Sequence, residues 1–213
     1  MNMHRQPRIP ERCSDPTGSA PVPLWRGVED IAAGLQCVPT GFSPLDRALP
    51  GGGWPLGNLV EVTAAPQPHV GAELFLPALA TRLATRPRAA WVAPPAGLHA
   101  PGLAAWEVDP TRILVVEADS DTDRLWAMEQ FLGCADCALV LGWVRVMPSH
   151  TALRRLQWAA ARHTGLGVLF RVGNLTRPSP AALRLRVRAE DHGLEVELVK
   201  LRGALGPRRV RLP

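Results

Sequence analysis

The pattern of apolar and polar residues predicts an α/β fold with a mostly parallel central sheet, covered by helices on both faces in three layers. Three observations carry this. Strand-like apolar runs alternate with segments of helical period between residues 58 and 170. The inner strands are apolar without interruption, as in Ala138-Leu139-Val140-Leu141, which is what strands buried on both faces require. The period then changes near the end, where Leu183–Ala189 and Leu194–Leu201 alternate in twos around Asp191-His192-Gly193, an antiparallel hairpin that would extend the sheet.

In chain order, residues 1–23 are rich in Pro, Arg and small polar types and read as a disordered arm. Residues 24–39 read as a short helix and linker. In Thr40-Gly41-Phe42-Ser43-Pro44-Leu45-Asp46, Ser43 is expected to cap a short helix with Pro44 at its first position. Gly51-Gly52-Gly53-Trp54-Pro55-Leu56-Gly57 is a tight turn feeding a strand over Asn58–Thr63. A helix follows the loop 64–71 and runs to about Arg86, with Pro77 either kinking it or delaying its start. Ala89–Ala93 and Arg112–Glu117 read as strands. Ser120 caps a helix through Leu132, Ala138–Trp143 is a strand, Thr151–His163 a helix and Gly165–Phe170 a further strand.

The 213 residues suffice for one sizeable core but not for two full domains. No apolar run reaches a membrane span, and the first residues have no apolar signal-peptide core, so a cytoplasmic location without membrane contact is expected. Cys134-Ala135-Asp136-Cys137 is a single C-x-x-C without a second pair, so Cys137 reads as a small residue leading into a buried strand and no metal is expected. Net charge is +5, but it is unevenly placed: residues 171–213 hold ten Arg or Lys and four Asp or Glu, a balance of +6. That segment is either a soluble arginine-rich surface or a face for nucleic acid or an acidic protein.

Several motifs together resemble a known family. Thr40–Asp46 followed by Leu49–Gly57 resembles the entry to the ATPase core of RecA-type recombinases, and more closely the ImuA family, accessory proteins of error-prone translesion synthesis in the SOS response. Phe75-Leu76-Pro77-Ala78-Leu79, Trp91-Val92-Ala93-Pro94-Pro95, Leu125–Gln130, Leu153–Gln157, and Phe170-Arg171 with Arg177–Leu185 complete the resemblance, which covers about residues 22–203. It implies a three-layer RecA-like, P-loop-type core over 40–203, followed by a basic tail over 204–213. A working core of that kind carries a glycine-rich phosphate cradle ending in Lys and Ser/Thr. Here Ala64-Ala65-Pro66-Gln67-Pro68-His69-Val70-Gly71-Ala72-Glu73 has neither, two prolines remove amide donors, and Glu73 places negative charge where phosphate would sit. Ala93-Pro94-Pro95 stands where a water-polarising carboxylate is usual, and Gly142-Trp143 where a magnesium-binding Asp is usual. A degenerate nucleotide site, no cofactor and no enzymatic activity are expected.

What remains is surface. Trp25 and Arg26 are candidate anchors for a partner, although packing on the chain's own core is an equal expectation. Arg171, Arg177, Arg184, Arg186 and Arg188 are candidates for partner or DNA contact, with Arg184, Arg186 and Arg188 sharing one strand face by the period of two. Arg208, Arg209 and Arg211 of the disordered-looking tail would reinforce either contact. The resemblance implies as partners an ImuB-like protein, which is an inactive relative of Y-family polymerases, an error-prone replicative-type polymerase, and RecA. Direct binding of single-stranded DNA and a SulA-like inhibitor of cell division are the alternative readings, and a residual ATPase comes last.

Overall fold

The computed structural model describes residues 36–64, 70–95, 99–171, 177–201 and 208–213. The expected arm over 1–23, the helix expected from residue 24, Trp25, Arg26, Pro66 and Pro68 lie outside them. Ten strands and five α-helices are described. The strands are β1 (Cys37–Val38), β2 (Trp54–Pro55), β3 (Asn58–Ala64), β4 (Arg88–Val92), β5 (Ile113–Val116), β6 (Cys137–Val144), β7 (Leu166–Arg171), β8 (Leu183–Glu190), β9 (Gly193–Leu201) and β10 (Arg208–Leu212). The helices are α1 (Ser43–Ala48), α2 (Leu76–Leu83), α3 (Ala100–Ala104), α4 (Asp121–Leu132) and α5 (His150–Arg162).

Among the described residues the main sheet has eight strands in the order β10-β9-β8-β3-β7-β6-β4-β5. The six from β8 to β5 are parallel, while β9 runs antiparallel to both β8 and β10. The expected α/β architecture, with its terminal hairpin, is therefore present. The tail expected to be disordered differs in part: Arg208–Leu212 forms an edge strand on β9, with Val210 opposite Val196. Ladder hydrogen bonds and the burial of Leu212 outweigh the repulsion of its neighbouring arginines.

Two apolar clusters flank the sheet, as strand alternation demands. Val60, Val62, Leu139, Leu141, Val168 and Phe170 point to the side covered by α1 and α2, whereas Leu59, Val140, Val144 and Leu169 point to the side covered by α4 and α5. The first side holds a chain of rings. Trp54 stacks on Phe75 at 4.5 Å, Phe75 meets Phe170 edge-on at 6.1 Å, Phe170 stacks on Trp143 at 4.8 Å, and Trp143 meets Trp91 at 5.9 Å.

Local chemistry explains where elements start. Pro77 does delay its helix: Ala72–Phe75 makes a 3-10 turn and α2 begins at Leu76, with the proline in its first turn. Ser120 Oγ accepts from the Asp123 amide at 3.1 Å and caps α4 as expected. Ser43 does not cap α1. Phe42 holds the cap position, and Asp46 instead reaches back to accept from the Thr40 amide at 2.8 Å. The turn before β2 is tight because a Cβ on Gly53 would collide with the Val38 carbonyl of the paired strand. The apolar run of β5 is not wholly covered: Leu114 and Val115 are 40% and 45% exposed. β5 ends the sheet, and the helices on either side lie over β4 and β6 instead.

Phe170 joins Phe75 to Trp143 at the middle of the ring chain, so Phe170→Ala is expected to lower the free energy of unfolding by about 3–5 kcal/mol. Urea titration with an unchanged slope is the measurement, and a loss under 1 kcal/mol would show the rings to be independently supported.

Candidate functional site

The C-terminal ends of the parallel strands converge on a cleft of about 630 Å³, lined by Ala64, Ala93 to Pro95, Glu117 to Asp119, Arg124, Trp143 to Arg145, and Phe170 with Arg171. This is where open parallel sheets place ligands. Three of the described positions at the edge of this cleft, Glu73, Ala93 and Gly142, meet other parts of the chain. The Gly71 amide, in left-handed backbone at φ 93°, donates to the Glu73 carboxylate at 2.8 Å. The anion at this helix start is thus supplied by the chain itself. Gly142 faces α4, where a Cβ would collide with the Met128 thioether, so an Asp there would be driven into the core. Trp143, on the opposite face, lies flat on Phe170. Ala93 leaves β4 with φ 51° and donates to Val116 O at 2.7 Å, carrying Pro94 and Pro95 to the rim.

Arg124 and Asp121 brace this cleft. Arg124 is buried, and its Nε donates to Ala118 O at 2.9 Å. Asp121 accepts from the Arg145 and Val146 amides at 2.9 and 2.7 Å, joining the end of β6 to the start of α4. Sequence reasoning singled out none of Glu117, Asp119 and Arg145, because only the strand order brings them together.

The arginine cluster divides in two. Along β8 the side chains of Arg184, Arg186 and Arg188 share a face, but their exposure rises from 6% to 34% to 52%. The inner end is buried around Glu61, a fully buried carboxylate in β3. Arg171 Nε donates to Glu61 Oε2 at 3.0 Å, Arg184 Nε lies 3.4 Å from the same oxygen, and Ser179 Oγ donates to Oε1. Burial lowers the Arg184 pKa from its usual value, opposed by Glu61 and assisted by Arg171. The chain's lone lysine completes the arrangement: Lys200 Nζ donates to Ser179 O and Ala181 O at 2.7 and 2.8 Å, holding that segment over the pair. Glu61 was missed in the sequence, although an acid amid Leu59, Val60 and Val62 is the signal that could have found it.

At the outer end, arginine faces glutamate. Arg186 pairs with Glu197, Arg188 with Glu195 at 3.6 Å, Arg209 with Glu197 at 3.7 Å and Arg211 with Glu190 at 3.6 Å. Four arginines against three glutamates leave this ladder at +1. Arg177 and Arg208 are exposed. Arg171 and Arg184 are therefore part of the interior, and the surface arginines are partly neutralised by their own chain.

Among the described residues no group of three or more His, Cys, Asp or Glu is placed to hold a metal ion. Cys137 starts β6 buried, and its thiol is pushed up to about 12, chiefly by burial. Cys134 is exposed. Among the described residues no helix is long and apolar enough to cross a membrane.

Two outcomes follow from this geometry. Glu61→Gln leaves two guanidiniums buried without their carboxylate and is expected to cost about 3–5 kcal/mol in urea titration. Adding Arg171→Met and Arg184→Met to a Glu61→Leu chain should recover most of it, and failure to recover would mean that the ions fix the fold itself. At pH 8 iodoacetamide should modify Cys134 but spare Cys137 until unfolding. The unfolded Cys137 thiol ionises first, near 9.0, so its contribution to stability is held below that pH and lost as pH rises toward about 12.

No family model matches the chain. It is similar to protein ImuA of Caulobacter vibrioides, in each of two strains, with 35% identity over 135 residues. The match covers 61% of this chain and 55% of the relative, so the chain spans about half the length of the curated proteins it matches. Over those 135 residues the chain is similar to the ImuA proteins.

Proposed function

We propose that this chain is a non-catalytic accessory protein of SOS-induced, error-prone translesion DNA synthesis. It docks an ImuB-like, catalytically inactive relative of the Y-family polymerases, with an error-prone replicative-type polymerase and RecA as further partners. The sheet is read as a RecA-like core whose nucleotide site is degenerate. The observation that supports this reading is local: beside the cleft, Glu73 accepts from the Gly71 amide, and Met128 takes the space beside Gly142. A core built this way keeps a rigid frame and spends none of it on phosphate transfer, while the similarity to ImuA supplies the process.

The surface arginines favour a protein over a nucleic acid. Each ladder arginine already has a glutamate neighbour, and a net charge of +1 releases few counterions on meeting a phosphate backbone. Exposed pairs of this kind contribute only about 0.2–1 kcal/mol each, so a partner can rearrange them at small cost.

Co-purification of the tagged chain with the ImuB-like protein and with RecA, at low and moderate salt, tests the reading. A stoichiometric complex with the ImuB-like protein should survive moderate salt and be indifferent to ATP and magnesium. Absence of a complex with either protein, or a complex that forms only with ATP, would overturn it.

A further inference from the structure

Two tryptophans stand uncovered on the helical layer formed by α4 and α5. Trp126 of α4 is 60% exposed and Trp158 of α5 is 61% exposed. Between the helices runs a groove of about 230 Å³, lined by Glu129, Gln130 and Gly133 of α4 and by Arg155, Trp158 and Arg162 of α5. An ion pair crosses it: Arg155 Nε and Nη2 meet Glu129 Oε1 and Oε2 at 3.2 and 2.5 Å. Both helices connect parallel strands of one sheet on the same face, so they run in the same direction. At a rise of about 1.5 Å per residue, Trp126 lies about one turn before this pair and Trp158 about one turn after it.

Charge selects the occupant. α5 carries Arg154, Arg155 and Arg162 and has no acidic residue. Glu129 answers only Arg155, and among the described residues Arg154 and Arg162 have no ion-pair partner. Arg154 lies over the Trp158 ring at 5.0 Å, which holds a guanidinium at the aromatic surface. This differs from the β8–β10 ladder, where glutamates of the same chain neutralise most of the charge. Exposed indole and arginine together are the side chains that dominate protein interfaces, and uncompensated positive charge sets the sign of what binds.

We propose that the α4–α5 groove is a docking site for a short acidic peptide segment of a partner protein. An apolar side chain of that segment lies on Trp158, with its carboxylates on Arg154 and Arg162. The proposal rests on the accessory reading above and deepens it, by assigning a surface and a ligand chemistry to the docking role.

The probe is a fluorescein-labelled peptide of alternating aspartate and phenylalanine, titrated against the full chain by anisotropy, with asparagine replacing aspartate in a control. The acidic peptide should bind and the control should not. Trp158→Ala, and separately Arg154→Glu with Arg162→Glu, should each weaken binding about tenfold or more, which is about 1.4 kcal/mol, with the circular dichroism unchanged. All three positions are exposed, so these variants keep the fold. No binding by the wild type, equal binding by the variants, or displacement by oligothymidylate that the same variants abolish would overturn the proposal, the last by giving the groove to single-stranded nucleic acid. Retained co-purification of the Trp158→Ala chain with the ImuB-like protein would overturn this surface and leave the accessory reading standing. Loss of co-purification by the wild type would overturn that reading, while the peptide titration still reports on the groove.

Discussion

A carboxylate buried in the central strand sets the terms for half of the sheet. Taking Glu61 out of water costs several kcal/mol unless cationic partners and hydrogen bonds replace the lost hydration. Its partners come from β7 and β8, the two strands that flank β3, and from Ser179 in the segment leading into β8. The Ser179–Ala182 segment thereby becomes a cover for the sheet where α4 and α5 do not reach, held down by Lys200 from β9. The terminal hairpin is thus joined to the parallel core by charge as well as by backbone ladder, with the half-buried Lys200 tying β9 to the Ser179–Ala182 segment.

The opposite face is governed by dispersion and shape. Five rings from Trp54 to Trp91 fill the space between the sheet and α2, and Trp143 and Phe170 carry this filling out to the cleft. Interiors are packed to near crystalline density, so a position given to such a contact is unavailable to a ligand or a metal-binding acid. Gly142 against Met128 makes the same point from the other side. An acidic side chain placed at Gly142 or Trp143 would therefore have to displace packing already in place.

The outer surface separates two kinds of positive charge. On β8, β9 and β10, arginines stand in register with glutamates, an arrangement that sits easily on a sheet edge and discourages edge-to-edge association. On α5 the arginines have no such answer from their own helix and are accompanied by uncovered tryptophan.

By itself the sequence determined the kind and order of the main strands and helices between Asn58 and Leu201, because strand and helix periods, the Ser120 cap, the placement of Pro77 and the glycine turn before β2 are local properties read within a few residues. It also showed that the loop from Ala64 to Glu73 holds no Lys, Ser or Thr. Only the tertiary structure decided what the charges do. Glu61 and Arg171 are 110 positions apart, and Arg184, Arg186 and Arg188 look alike along one strand although the first is buried and the last is half exposed. The physical reason is range: side-chain period is fixed by bonded geometry, whereas the partner of a charge is fixed by strand order and register, which distant segments settle together.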